Sequence, residues 1–137
     1  MARKYVWPKG HWSWPIKVTH KHGLRCDEMI FVGGQVDLTP EGEVLRKGDL
    51  AAQTNAVVDH IETVLDELGA DLEDVVKLVM FYVNDGGVNE RDALATLRAR
   101  FKGDVPPAVI PVPLPVLAYP EMVVEIEAIA MRSPDGS

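Results

Sequence analysis

The residues best equipped for chemistry in this sequence crowd its first quarter. His20 and His22 flank Lys21, with His11 and Cys26 not far off. Imidazoles two residues apart on one strand face could hold a transition metal. No fixed set of four ligands is visible, and Lys21 between the histidines opposes one, so no metal and no cofactor is expected. Trp7, Trp12 and Trp14, all the tryptophans of the chain, fall among these histidines and several prolines. Rings with a polar handle suit a ligand pocket or an interface, and they equally staple an irregular arm onto a core or a neighbouring subunit. Cys26 reads as a small core residue, since Arg25 is its one cationic neighbour in sequence. Further on, Gly33-Gly34 interrupts an apolar run, which marks a bulge or a close approach to the backbone. Near the C-terminus, Glu125 and Glu127 stand in an alternating stretch.

The elements that must position these groups follow from periodicity. Residues 28–38 read as a mostly buried strand closed by the turn Thr39-Pro40-Glu41-Gly42. Residues 49–68 read as a helix, with Asp49 as N-cap and Gly69 at the left-handed C-terminal position. Its stripe is Leu50, Val57, Ile61, Val64, Leu65 and Leu68, which places His60 on the solvated face. Residues 75–84 are β-branched and aromatic, bounded by Asp85-Gly86-Gly87, and read as a strand. Asn89 would cap a second helix running to about Lys102, burying Leu94, Leu97 and Phe101 and leaving Arg91, Arg98 and Arg100 solvated.

Pro111, Pro113 and Pro115 alternate within residues 106–116. Alternate residues of a strand point their backbone groups to the same side, so every lost N–H falls on one edge while the other can still pair. That is an edge strand which cannot be extended. Residues 122–131 alternate as a last strand, with Glu125 and Glu127 on the face of Val123, Ile129 and Met131. Each helix has one apolar face, so both lie on one side of a mixed sheet, an α+β arrangement. The chain, residues 1–137, reads as one domain with an irregular Trp/His-rich arm over about residues 1–23 and a disordered tail after Arg132.

Charge narrows the function classes. The net charge is -7, yet residues 1–26 carry six Lys/Arg and no acid. The rest of the chain therefore holds eight basic groups against 21 acidic ones and would repel a phosphate backbone, so no nucleic-acid partner is expected. The basic arm either lies on the acidic body or a neighbouring subunit, or borders an anion site. One cysteine forbids an intrachain disulfide, the N-terminus has no apolar core behind its charges, and no run approaches the ~18 apolar residues of a membrane span. A cytoplasmic protein without a membrane partner is expected.

Several pieces, in order and spacing, resemble the Rid family of enamine/imine deaminases, also called YjgF or L-PSP. They are Phe31-Val32-Gly33-Gly34-Gln35, Ala52-Gln53-Thr54, the stretch from Leu68 to Lys77, Phe101, Pro107-Ala108 and the run from Val124 to Ala130. The resemblance spans about residues 24–131. It implies a chorismate-mutase-like (YjgF-like) fold, a homotrimer, and small-molecule clefts at the subunit interfaces. Typical members hydrolyse reactive imines and enamines: an arginine forks onto the substrate carboxylate and a glutamate orients or activates water. The glutamate position falls on Glu125. The arginine position, directly after Pro107-Ala108, is Val109, and a serine often found before the strand glycine is Gly33. A tyrosine near the start of the cleft aligns with His20, and a second-helix asparagine with Leu94.

These matches set the expectations for the site. Glu125 and His20 are the catalytic candidates, the imidazole because it titrates near neutral pH. Gly33, Gly34, Val109, Trp14 and His22 are the substrate-binding candidates. Glu125 could instead be a plain strand glutamate paired with a surface lysine. The expected activity is a hydrolase or deaminase of imines or enamines without a simple α-carboxylate anchor, since valine would leave that charge desolvated and unpaired. The alternatives are a non-catalytic metabolite-binding trimer and, opposed by the acidic body, an endoribonuclease or translation inhibitor.

Overall fold

The computed structural model describes residues 2–84 and 90–135. Among them, strands β1 (Arg3–Val6), β2 (Gly23–Cys26), β3 (Met29–Gln35), β4 (Val75–Val83), β5 (Ala108–Leu114) and β6 (Val124–Met131) form one sheet in the order β1-β2-β3-β6-β4-β5. Only β4 and β5 are parallel; every other neighbouring pair is antiparallel. Helices α1 (Leu50–Glu67) and α2 (Glu90–Arg100) complete the expected α+β architecture. Neither is long and apolar enough to cross a membrane. The Asp85-Gly86-Gly87 turn and the Asn89 cap lie outside the described residues, as does the end of the expected disordered tail.

The caps of α1 are those its sequence predicts. The Asp49 carboxylate accepts from the Ala52 N–H at 3.0 Å, and Gly69 turns the chain at φ +79°. Val57, Ile61, Val64 and Leu65 are fully buried against the sheet, each worth roughly 1.5–3 kcal/mol of transfer free energy. The stripe is wider than expected, because Gln53, Thr54 and Val58 are also fully buried. Gln53 shows why a polar residue belongs there. Its amide donates to the Leu45, Arg46 and Glu121 carbonyls and accepts from the Val123 N–H, tying two loops to the helix.

Four expectations are corrected. The first 23 residues are not wholly irregular, since Arg3–Val6 is a strand pairing with β2. His20, Lys21 and His22 do not form a strand, so the two imidazoles do not share a strand face: His20 is exposed and His22 is buried. His60 is not solvated; its ring packs edge-on against His11 at 4.8 Å. Arg100 is not free either. It bonds the Asn55 side chain at 2.6 Å and the Asp59 carboxylate at 2.7 Å, fastening α2 to α1.

The proline strand behaves as its sequence dictates. β5 ends the sheet, paired only with β4, and the Asn84 N–H reaches the Leu114 carbonyl at 3.0 Å. Even-numbered residues of β5 therefore face β4, and Pro111 and Pro113 face outward, where no N–H is needed. At the opposite end of the sheet, cations of the basic arm cap α1 from outside. Lys4 donates to the Glu67 carbonyl at 2.9 Å and Arg25 to that of Leu68 at 2.6 Å. The last turn of α1 holds no basic residue of its own, so these two supply the positive charge a helix C-terminus favours.

Candidate active site

The site is built where β3 breaks its register against β6. Val32 pairs with Ala128, but Gln35 pairs with Ile126, leaving Gly33 and Gly34 both opposite Glu127. This is a β-bulge at the glycine pair. Two residues along β6 from Glu127, Glu125 projects from the helix-free face of the sheet, level with Phe81 of β4 and Val112 of β5. Its side chain leans over the bulge so closely that a Cβ placed on Gly34 would lie 2.9 Å from the Glu125 Cδ. Glu125 is half-buried, and burial, aided by the nearby Glu127 charge, raises its pKa above the ordinary carboxylate value. A carboxyl group held this way is suited to exchanging a proton with water or substrate.

The remaining sequence candidates fall in three places. Gly33 and Gly34 form the bulge beside Glu125. The Gly33 N–H donates to the His22 carbonyl at 2.9 Å, so the chain segment ending in His20, Lys21 and His22 runs alongside the bulge. The His20 ring itself is exposed and makes no hydrogen bond or ion pair with Glu125 among the described residues.

His22 is buried with both ring nitrogens occupied. Nε2–H donates to the Trp12 carbonyl at 3.0 Å and Nδ1 accepts from the Gln35 amide at 3.2 Å. Within the chain it has no nitrogen left for a ligand, and burial first, then His11, lower its pKa to about 4. Trp14 is half-buried, its ring edge-on to Trp12 at 5.1 Å and tilted against Tyr119 at 5.9 Å. These contacts hold the arm on a second small cluster that includes Trp12, Val36, Leu38 and Met122.

Val109 is the candidate that a single chain does not bring to Glu125. The register sets Val109 beside Leu78, and Leu78 beside Ala128, which is the helix-covered face. Glu125 and Phe81 belong to the other face. Val109 is nevertheless 37% exposed, because it lies on the end strand.

Sequence reading missed Gln35 and its bonds to His11 and Trp12, which join the arm to the bulge, and the pair Asp37–Arg46; the stapling of the arm onto the core by its tryptophans is seen at Trp12 and Trp14. A signal for Gln35 existed, namely a polar residue in register with the core-facing positions once a bulge is allowed for at the glycine pair. Among the described residues no group of three or more His, Cys, Asp or Glu is arranged to hold a metal ion.

The helix-free face around Glu125 carries uncovered apolar side chains interspersed with Lys77 and Glu127. Phe31 and Met131 are 38% and 45% exposed, and Val79, Phe81, Val83 and Ile129 are only half-buried. Exposed apolar side chains gathered on one sheet face suit an interaction surface.

Comparison with known proteins agrees with this fold. The family model described as Endoribonuclease L-PSP matches residues 16–132. A RutC family protein of Pyrococcus abyssi is 34% identical over 113 residues, covering 82% of this chain and 86% of that protein. The 3-aminoacrylate deaminase RutC of Acinetobacter baylyi is 29% identical over 75 residues, covering 55% of this chain and 58% of that one. Among solved structures, the YjgF gene product of E. coli superposes with TM-score 0.77 at 26% identity, covering 94% of this chain and 98% of its own. YyfA of Yersinia pestis, from the conserved Rid protein family, does so with TM-score 0.80 at 25% identity, covering 95% and 99%.

Proposed function

Because the chain belongs to the Rid (YjgF, L-PSP) family, we propose that it is a homotrimer that hydrolyses small imines or enamines in clefts between subunits. The observation that carries this reading is the Glu125 carboxyl, half-buried against the Gly34 backbone with its proton affinity raised. In the reaction, water adds to the imine carbon while Glu125 takes its proton. The proton returns to the nitrogen to give a carbinolamine; the hydroxyl proton then passes through the same carboxylate to the amino group, the C–N bond breaks, and a carbonyl compound and ammonia leave. The name of the Acinetobacter baylyi relative, a 3-aminoacrylate deaminase, supports this class of chemistry.

Val109 narrows the substrate. No arginine occurs between Phe101 and Met131, so no guanidinium fork from this stretch can hold a carboxylate. The favoured substrates are imines that lack an α-carboxylate. Ammonia release from imines generated in situ, with and without that group, tests this directly. We expect saturable acceleration for the carboxylate-free imines and its loss in Glu125→Gln. Failure of the folded protein to accelerate any of them, or unchanged turnover in the variant, overturns the reading.

The apolar side chains of the helix-free sheet face support the trimer, since exposed apolar groups gathered on one face suit burial against a partner. Phe31→Asp should convert the trimer to monomers in light scattering after size exclusion. A second reading, a trimer that binds a metabolite without turning it over, is favoured by Val109 alone. Ligand-dependent thermal shifts without ammonia release would support it. The endoribonuclease in the family's description is weakened by the net charge of -7.

A further inference from the structure

Gln35 is wholly buried, and all four of its side-chain hydrogen-bonding positions are used. Its carbonyl oxygen accepts from Trp12 Nε1–H at 2.7 Å and from the His11 ring at 2.8 Å. Its amide nitrogen donates to the Gly33 carbonyl at 3.1 Å and to His22 Nδ1 at 3.2 Å. His22 closes the network through its ring bond to the Trp12 carbonyl and through its own carbonyl, which takes the Gly33 N–H. Both backbone polar groups of Gly33 are thus held by this network.

We propose that Gln35, Trp12 and His22 are positioning residues for Glu125: they fix the path of the Gly33–Gly34 bulge, and the bulge fixes where the carboxyl group lies. Two adjacent glycines are the least constrained backbone in the sheet, and no side chain of their own holds them. The network holds the first glycine, and the second lies against the Glu125 side chain. The irregular arm thereby becomes a working part of the site, although none of its rings needs to touch substrate. A fully satisfied buried amide of this kind rigidifies what surrounds it.

The inference rests on the reading of Glu125 as the group that handles water, but its test needs no substrate. The carboxyl carbon of Glu125 is followed by NMR in uniformly labelled full-length protein, assigned by its loss in Glu125→Gln. In Gln35→Met the titration midpoint should move down toward the ordinary carboxylate range, as a loosened bulge admits water. A role confined to global stability would lower the melting temperature and leave that midpoint where it was. A folded Gln35→Met with an unmoved midpoint overturns the proposal. Should Gln35→Met not fold, Trp12→Phe removes one hydrogen bond and keeps the ring, and the same criterion applies to it. A moved midpoint in a protein that hydrolyses no imine would leave the positioning role standing and sink the proposed reaction instead.

Discussion

Gly34 and Glu125 compete for the same space: a methyl group on Gly34 would sit 2.9 Å from the Glu125 Cδ and 3.0 Å from its Oε1. Gly34 is not among the residues of positive φ, so its backbone accepts alanine and the collision is the whole cost. The carboxyl end of a glutamate swings aside more readily than a sheet moves. Gly34→Ala should therefore fold with a stability change within about 1 kcal/mol. Turnover should fall about 10- to 100-fold, as expected for a reacting group misplaced by an ångström or less. Urea unfolding and the ammonia-release assay measure the two; wild-type turnover in this variant would separate Glu125 from the reaction.

Glu125 also links activity to pH and to stability. Its pKa in the fold is raised, so the folded state holds the proton to higher pH than the unfolded chain does. Stability attributable to this group is present at low pH and declines as pH rises through the carboxylate range. Glu125→Gln should remove that decline and melt above wild type near neutral pH, while losing about 10²- to 10⁴-fold in turnover. Calorimetry at pH 7 decides the first part: a melting point at or below wild type would mean the charge is better accommodated than its burial implies.

A cluster of histidines where the arm meets α1 gives the opposite slope. His22, His11 and His60 form a stack, with ring centroids 4.4 Å apart for His11–His22 and 4.8 Å for His11–His60. Burial, then His11, lowers His22 and His60 to about 4, and burial lowers His11. Asp37 and Asp59 oppose the shift at His60, Arg46 adds to it, Glu67 opposes it at His11, and His20 adds to it at His22. The unfolded chain takes up these protons near pH 6.5 and the folded one only at lower pH, about 4 for His22 and His60, so the stability they contribute is complete above 6.5 and lost as pH falls. His22 alone should account for about 3 kcal/mol across that range. Urea titrations at stepped pH should show the loss, flatter in His22→Asn; parallel curves for the two proteins would contradict it.

What the sequence made legible was local in origin. The caps of α1, the outward prolines of β5 and the shared face of Glu125 and Glu127 each follow from a few consecutive residues obeying one period or one backbone constraint. The family resemblance then placed Glu125 at a site. His60, Arg100 and His22 were misread because their partners lie elsewhere in the chain. His60 looked solvated by its position off the apolar stripe of α1 until the arm folded over it, and residues 7–22 have no periodicity from which that path could be read. Gln35 escaped for a related reason, since a register slip at two glycines changes which side of the strand a residue faces.

The pairing of buried Asp37 with half-exposed Arg46 shows a cost that is easy to measure. Asp37 is 1% exposed, and Arg46 reaches it with two parallel hydrogen bonds, Nε at 2.6 Å and Nη2 at 2.7 Å. Arg46 does so from a left-handed backbone at φ 45°, a conformation that disfavours every side chain, its own included. Removing the guanidinium leaves a carboxylate without its partner in a place water barely reaches. Arg46→Met should therefore lose about 2–4 kcal/mol, despite keeping the apolar stem. Asp37→Asn, which retains an acceptor and drops the charge, should lose less than Arg46→Met. Because Arg46 is itself half-exposed, the loss should also vary little with salt if it reflects the stranded Asp37 charge and fall at high salt if it reflects surface attraction. Urea unfolding of both variants at low and high ionic strength separates the two, and equal losses for Arg46→Met and Asp37→Asn would show that the hydrogen-bond geometry, not the buried charge, carries the energy.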